Sequence, residues 1–441
     1  MQHSYEALDR PGGFSRARLL SPLRHRDFRV LWTGMAVSLL GDGIFLVAIA
    51  WESYVLWNAP AALSIVGVGM TVPMVVFLLA GGVVSDRHDR RRVMLWADCV
   101  RATAVAVVAA LVLVGALRFW ELVALVAVYG VGTAFFTPAF EAIVPDLLPV
   151  GDLAAANSLD QFVRPIALRL AGPLLGGALV AAGPGLAFVV DAASFGASSL
   201  AVLAIRPRLP LRAEASASAF AAVKEGLGFV RRRVWLWGTL AAAAAAYLVF
   251  LGPTEVLLPY VVKNNLHASA ATLGFVFAAG GIGAVGAALW MGQRGHPRRD
   301  VTVMYVTWTL ATVAIAGYGI ATAAWQLMLA CLVFNALETA GTIVWATVKQ
   351  RHVPSAMLGR VSSLDWLISI GLLPVSFALT APVAAALGAR ATLVGAAGVG
   401  AAITLGALFL PGMRDIERER HEPPQPLGGA LPVPGPSRAS G

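Results

Sequence analysis

Only two cysteines occur in 441 residues, Cys99 and Cys331, and both fall inside apolar runs. No disulfide framework and no cysteine-based metal cluster can be built from a pair so placed. Charge is scarce as well: 13% of residues are Asp, Glu, Lys or Arg, where a soluble domain carries about 25%. With 58% apolar residues and a mean hydropathy of +0.75, most of this chain never meets water. A Gly-x4-Gly-Lys-Ser/Thr phosphate loop is missing, so nucleotide hydrolysis has no seat here. Gly281 to Gly286 fits Gly-x-Gly-x-x-Gly, but it lies inside an apolar run with no strand before it and reads as helix packing. No Ser/His/Asp set and no metal-ligand set converges, so an enzyme is not expected. The net charge of +9 would suggest nucleic acid in a soluble protein. Here the basic residues sit in short loops between apolar runs, so nucleic acid is not expected as a partner. No cleavable signal peptide is expected either: residues 1–27 are polar and basic, and the first apolar run is too long for a signal core.

What the chain does hold is apolar runs of about 20 residues, the length that crosses a bilayer. Twelve spans are expected, at 29–57, 61–84, 93–116, 119–137, 161–182, 186–205, 235–258, 270–291, 301–320, 325–348, 364–386 and 391–411. Placing both termini in the cytoplasm puts 27 of the 33 Lys and Arg residues on the inner side, and three (Arg118, Lys263, Arg390) outside. That asymmetry sets the orientation. The expected organisation is a cytoplasmic tail (1–27), a six-helix bundle (28–205), a cytoplasmic linker (206–234), a second six-helix bundle (235–412) and a disordered cytoplasmic tail (413–441). In the linker, Phe220, Val223, Leu227 and Val230 fall at helical spacing before three arginines, which predicts an amphipathic surface helix.

The two bundles look like a duplication. Residues 149–162 read PVGDLAAANSLDQF and residues 354–367 read PSAMLGRVSSLDWL, an offset of 205 that aligns Pro149 with Pro354 and Ser158-Leu159-Asp160 with Ser363-Leu364-Asp365. Both copies join an even-numbered span to the next on the inner side. An even number of spans per half makes the repeat parallel.

One stretch is a burst of charge between two apolar runs: Gly82-Val83-Val84-Ser85-Asp86-Arg87-His88-Asp89-Arg90-Arg91-Arg92. Its Gly-x3-Asp-Arg-x2-Arg-Arg pattern resembles the loop between spans 2 and 3 of the major facilitator superfamily. Gly172-Pro173-Leu174-Leu175-Gly176-Gly177 in span 5 resembles that family's antiporter motif, although the family's preceding Gly is Leu168 here. Arg26-Asp27-Phe28-Arg29, Ser38-Leu39-Leu40-Gly41-Asp42 and the run from Gly185 through Asp191 to Phe195 resemble the exporter branch that includes enterobactin and macrolide efflux proteins. The resemblance implies an all-α membrane protein of twelve helices in two pseudo-symmetric bundles. It also implies proton-coupled efflux by alternating access. Gly82, Asp86, Arg87, Arg90 and Arg91, joined by Asp98 and Arg101, would form an inner-side latch between the halves, with Asp86 facing Ser362-Ser363.

An ionisable group in mid-membrane costs about 2.5–3.5 kcal/mol on insertion scales, so each needs a reason. Asp42 lies eleven residues past Leu31, about 16 Å along a helix and near mid-membrane; Glu338 lies thirteen past Trp325, about 20 Å from the outer edge. In the family, spans 1, 4, 7 and 10 line the cavity, and these acids are on spans 1 and 10. Asp42 is expected to be the main proton site, with Glu338 a substrate contact or a second proton site. Glu52 and Glu255, near the outer ends of spans 1 and 7, either favour cations at the outer mouth or are simple interfacial acids. Arg169 either pairs with an acid or snorkels inward.

The expectation is therefore a plasma-membrane antiporter, acting as a monomer without cofactors, that exports small cationic or amphipathic molecules such as drugs. One proton moving through 100 mV supplies about 2.3 kcal/mol, enough for a gradient of about 50-fold. A dedicated siderophore or natural-product exporter, a nutrient importer, and a non-transporting sensor or scaffold stay open.

Overall fold

The computed structural model describes residues 20–206, 226–294 and 299–418. A short 3-10 turn, Ser21–Arg24, leads into α1 (Arg26–Leu56), α2 (Ala61–Arg87), α3 (Arg90–Leu113) and α4 (Phe119–Leu147). Next come α5 (Val150–Pro165, a π-helical stretch Ile166–Ala171, then Gly172–Ala182) and α6 (Pro184–Ala204). The second half holds α7 (Val234–Tyr260, ending in a π-helical Val261–Asn265), α8 (Ala270–Arg294) and α9 (Asp300–Ala314 with Ala316–Ile320). It closes with α10 (Ala324–His352), α11 (Ser355–Gly371 with Leu373–Leu387) and α12 (Ala389–Leu408). Helices suit this chain because lipid offers the backbone no hydrogen-bond partners, so each segment must satisfy its own.

Among the described residues, eleven helices are long and apolar enough to span a bilayer. The twelfth, α11, is split at Leu372 into pieces of 17 and 15 residues. Pro374, near the start of the second piece, has no N–H with which to continue the first. Adding the repeat offset of 205 to the π-helical stretch of α5 lands on 371–376, at this same break. The two halves therefore share an irregularity as well as a motif.

Packing repeats the same way. In the first half α1 packs on α5 and α6, α2 on α4, and α3 on α4 and α6; in the second, α7 packs on α11 and α12, α8 on α10, and α9 on α10 and α12. Between halves, α5 meets α8 and α11 meets α2, which is again one contact and its symmetry mate.

Several spans run longer than expected. α2 continues through Asp86 and Arg87, so the charged loop shrinks to His88 and Asp89. Asp89 caps α3, its carboxylate accepting from Arg91 N–H at 3.0 Å. α4 runs ten residues past the expected end at 137, straight through Pro138 and Pro145, because neighbouring helices shelter the interrupted backbone. Of the expected linker helix, residues 226–231 are helical, with Leu227 exposed and Val230 buried; Phe220 and Val223 lie outside the described residues. So do the first 19 residues, most of loop 8–9, and the tail from 419.

Candidate functional site

Among the described residues, the halves make close contacts at the end opposite the arginine-rich loops. There the Tyr54 hydroxyl of α1 donates to the Val256 carbonyl of α7 at 2.6 Å, and the Tyr54 and Tyr260 rings meet edge to face at 5.5 Å. Lys263 donates to the Tyr54 carbonyl and lies 5.4 Å from the centre of the Trp51 ring. Glu52 is buried beside this contact. One of its oxygens lacks a hydrogen-bond partner, and Lys263 is its nearby opposite charge. Gly67 of α2 fits against the Phe377 ring of α11. In the third contact α5 meets α8 through glycine: a Cβ on Gly177 would stand 2.9 Å from the Ala270 carbonyl and 3.0 Å from Gly274 Cα. A Cβ on Gly281 would stand 2.4 Å from the carbonyl of Arg169, which gets no N–H from Pro173. Gly172 and Gly176 face the other way and bring α5 onto Gly43 and Ile44 of α1. The Gly172-Pro173 to Gly177 motif is thus the wedge between α1 of its own half and α8 of the other.

Below that closure lies a first charged cluster, inside the first half. A cavity of ≈ 150 Å³ is lined by Asp42, Arg101, Thr133, Thr137, Glu141 and Arg164, among others. The Tyr129 hydroxyl donates to Asp42 Oδ1 at 2.7 Å, and its ring stacks on Phe45 at 4.8 Å. Arg101 is buried and ion-paired with Asp98, with its guanidinium 4.2 Å from the centre of the Phe136 ring and 4.4 Å from that of Phe195. Aromatic faces on both sides suit a desolvated guanidinium. Asp98 and Arg101 therefore sit in mid-helix beside Asp42, not with the loop arginines where the sequence had grouped them.

A second cluster spans the halves. Arg169, on the π-helical stretch of α5, donates to Asn335 Oδ1 at 3.2 Å and comes within 4.0 Å of Glu338 Oε2, both on α10. Thr342 donates to the other Glu338 oxygen at 3.0 Å. Glu255 of α7 lies within electrostatic reach of Arg169. Glu338 also edges a cavity of ≈ 40 Å³ walled by Tyr247, Phe250, Tyr305, Trp308 and Phe334. Arg169 thus pairs with Glu338 across the interface instead of snorkelling to an end.

Two of the loop arginines bind within the first half. Arg90 donates to the Ala142 carbonyl at 2.9 Å and pairs with Asp146; Arg91 donates to the carbonyls of Val202 and Leu203 at 3.3 and 3.1 Å. They clamp the start of α3 to the ends of α4 and α6. Arg87 is exposed. A Cβ on Gly82 would meet nothing within 4 Å. The side chains of Asp86 and Ser363 lie outside the described residues.

Sequence reasoning missed Asp191 and Glu141. Asp191 is seven residues into α6 and fully buried, so the rule that singled out Asp42 applied to it equally. Glu141 lies past 137, the expected end of its span, on the part of α4 that the structure adds.

Residues 17–430 match the family model described as transmembrane secretion effector. The chain is 27% identical to the enterobactin exporter EntS of Citrobacter koseri over 419 residues, 92% of this chain and 96% of that one. It is 23% identical to macrolide efflux protein A of Streptococcus pyogenes over 359 residues, 80% and 88% of the two chains. Among solved structures, it resembles the nucleoside transporter NupG (TM-score 0.63, 12% identity, 87% of this chain and 99% of that one). It also resembles a bacterial homologue of the iron transporter ferroportin, with TM-score 0.64 to the inward-facing form (16% identity, 90% and 100% covered) and 0.58 to the outward-facing form (19% identity, 90% and 100% covered).

Proposed function

The chain belongs to the transmembrane secretion effector family, a branch of the major facilitator superfamily, and from that premise we propose that it exports small amphipathic molecules in exchange for protons. The arginine-rich end faces the cytoplasm, by the charge asymmetry of the loops. Among the described residues, α1–α7, α2–α11 and α5–α8 then close the outer end. The observation that carries the reading is the carboxyl of Asp42, midway along α1 and lining a cavity. An ionisable group so placed is costly unless it works. Asp42 exchanges protons with the inner solution. Glu338, with aromatic rings behind it, receives the cargo. An apolar body fits against Tyr247, Phe250 and Phe334, and a cationic group against Glu338. Arg169 already occupies Glu338 across the interface. Cargo that takes that carboxylate therefore loosens a bond between the halves and favours their rocking.

A dedicated natural product is the second reading, favoured by the enterobactin exporter among the relatives. On that reading Arg169 is the cargo contact and receives an anionic group. Efflux from cells loaded with a panel of drugs, with and without an uncoupler, tests the first reading. Uncoupler-sensitive efflux of several unrelated amphipathic compounds, lost with Asp42→Asn, supports it. Efflux that ignores the uncoupler ends it.

A further inference from the structure

Three carboxyl groups and one guanidinium are gathered where α1, α3, α4 and α6 meet. Asp98 and Arg101 of α3 form the ion pair, and their charges cancel. Asp42 of α1 and Asp191 of α6 are left, close enough to feel each other. Arg101 gives its short contact to Asp98 and reaches these two only through longer-range attraction. Arg164 of α5 acts on Asp42 across the cavity, and Tyr129 of α4 donates to it. Asp42 thus has a donor, a cavity and a distant second cation.

Asp191 has no cavity, no second cation and only one long donor contact. It is 0% exposed and does not line the cavity. Its Oδ2 has no hydrogen-bond partner; its Oδ1 has one long contact, 3.4 Å, from the Ser194 hydroxyl, which makes a shorter bond of 2.7 Å to the Asp191 backbone carbonyl. Gly41 seals it in: a Cβ there would stand 2.1 Å from Ser194 Oγ and 2.6 Å from Asp191 Oδ1. An anion so buried is costly when its one donor contact is long and the nearest cation is already paired with Asp98. A neutral carboxylic acid avoids that cost.

We infer that Asp191 is a resident proton-binding site: it holds its proton while Asp42, in front of it, gains and loses one. The neutral Asp191 leaves Asp42 as the group whose charge changes at the cavity wall. Two adjacent carboxylates would instead repel each other and share a single proton between them. This rests on the proton-coupled reading for its purpose but not for its existence.

The test is infrared spectroscopy on the full-length protein in proteoliposomes, with aspartate carboxyls labelled with 13C and pH varied in H2O and D2O. At neutral pH the wild type shows a protonated-aspartate band in the dry interior. Asp191→Asn loses that band, and the pH midpoint of the Asp42 part stays where it is. Asp42→Asn keeps the band, so this variant reports even if Asp191→Asn fails to fold. No band in Asp42→Asn, an undiminished band in Asp191→Asn, or a lowered Asp42 midpoint there (the mark of a removed anion) overturns the inference. A band lost as stated, together with efflux that ignores the proton gradient, would sink the antiport reading alone. Proton-driven efflux with an undiminished band in Asp191→Asn would sink this inference alone.

Discussion

Enlarging Gly177 should push the outer closure open, and the structure sets how far. A Cβ there would stand 2.9 Å from the Ala270 carbonyl and 3.0 Å from Gly274 Cα, whereas favourable contacts between heavy atoms begin at about 3.5 Å. Alanine already asks α5 and α8 to part by about half an ångström. Valine adds two methyl groups to the same gap. Overpacking of this kind costs about 1–3 kcal/mol, and the cost falls on the conformation in which these helices touch. At about 1.4 kcal/mol per tenfold, the closed outer end loses about 5- to 140-fold in population to the state in which it is parted. Spin labels at Asn58→Cys and His267→Cys would read this, with Cys99 and Cys331 replaced by serine. Both label sites are exposed, one on each half beside the closure. Double electron–electron resonance should show a longer-distance population that grows from wild type to Gly177→Ala to Gly177→Val. Gly286→Ala on α8, where a Cβ meets nothing within 4 Å, should leave the distribution alone. An unchanged distribution in Gly177→Val would refute the role given to the α5–α8 contact.

Three further outcomes follow from the same geometry. Arg101→Leu strands the buried Asp98 carboxylate and should cost up to about 3–5 kcal/mol; Arg101→Leu with Asp98→Leu should recover most of it, both read by thermal unfolding in detergent. Arg169→Ala removes the bond to Asn335 and the approach to Glu338, so cargo affinity should rise if the cargo is cationic and fall if it is anionic, as read by binding titration. Near the N-terminus, Ser21 and His25 bond the Asp152 carboxyl at 2.7 and 2.9 Å and hold it below the usual carboxylate range. A carboxyl so lowered contributes stability above its unfolded value and loses it as pH falls through the folded one. Proteolysis of the N-terminal tail should therefore speed up on acidification below about pH 4, and Asp152→Asn should flatten that dependence.

The fold was legible because lipid imposes a coarse rule: long apolar runs become helices. Span ends were less legible, since proline means a stop in water and only an interruption in a bundle; α4 shows this at Pro138 and Pro145. Asp42 could be found because depth can be counted along a helix. Glu141 could not, because its helix was thought to have ended. The central pairing of Arg169 with Glu338 joins residues 169 positions apart in different halves, and no local spacing encodes it. The Asp98–Arg101 pair was visible as an i, i+3 pattern, but its partners were not: that they face Asp42 and Asp191 depends on how α1, α3 and α6 pack. Asp191 was within reach of the same depth count, seven residues into α6.

The central claim is that a proton moved through Asp42 drives cargo outward. Purified protein in liposomes, loaded with an amphipathic dye and given an imposed pH gradient with no cargo gradient, tests it directly. Dye should accumulate against its own gradient in wild type and stop doing so in Asp42→Asn, with proton flux that appears only when dye is present. Dye movement of equal rate and extent with the pH gradient collapsed would contradict the account.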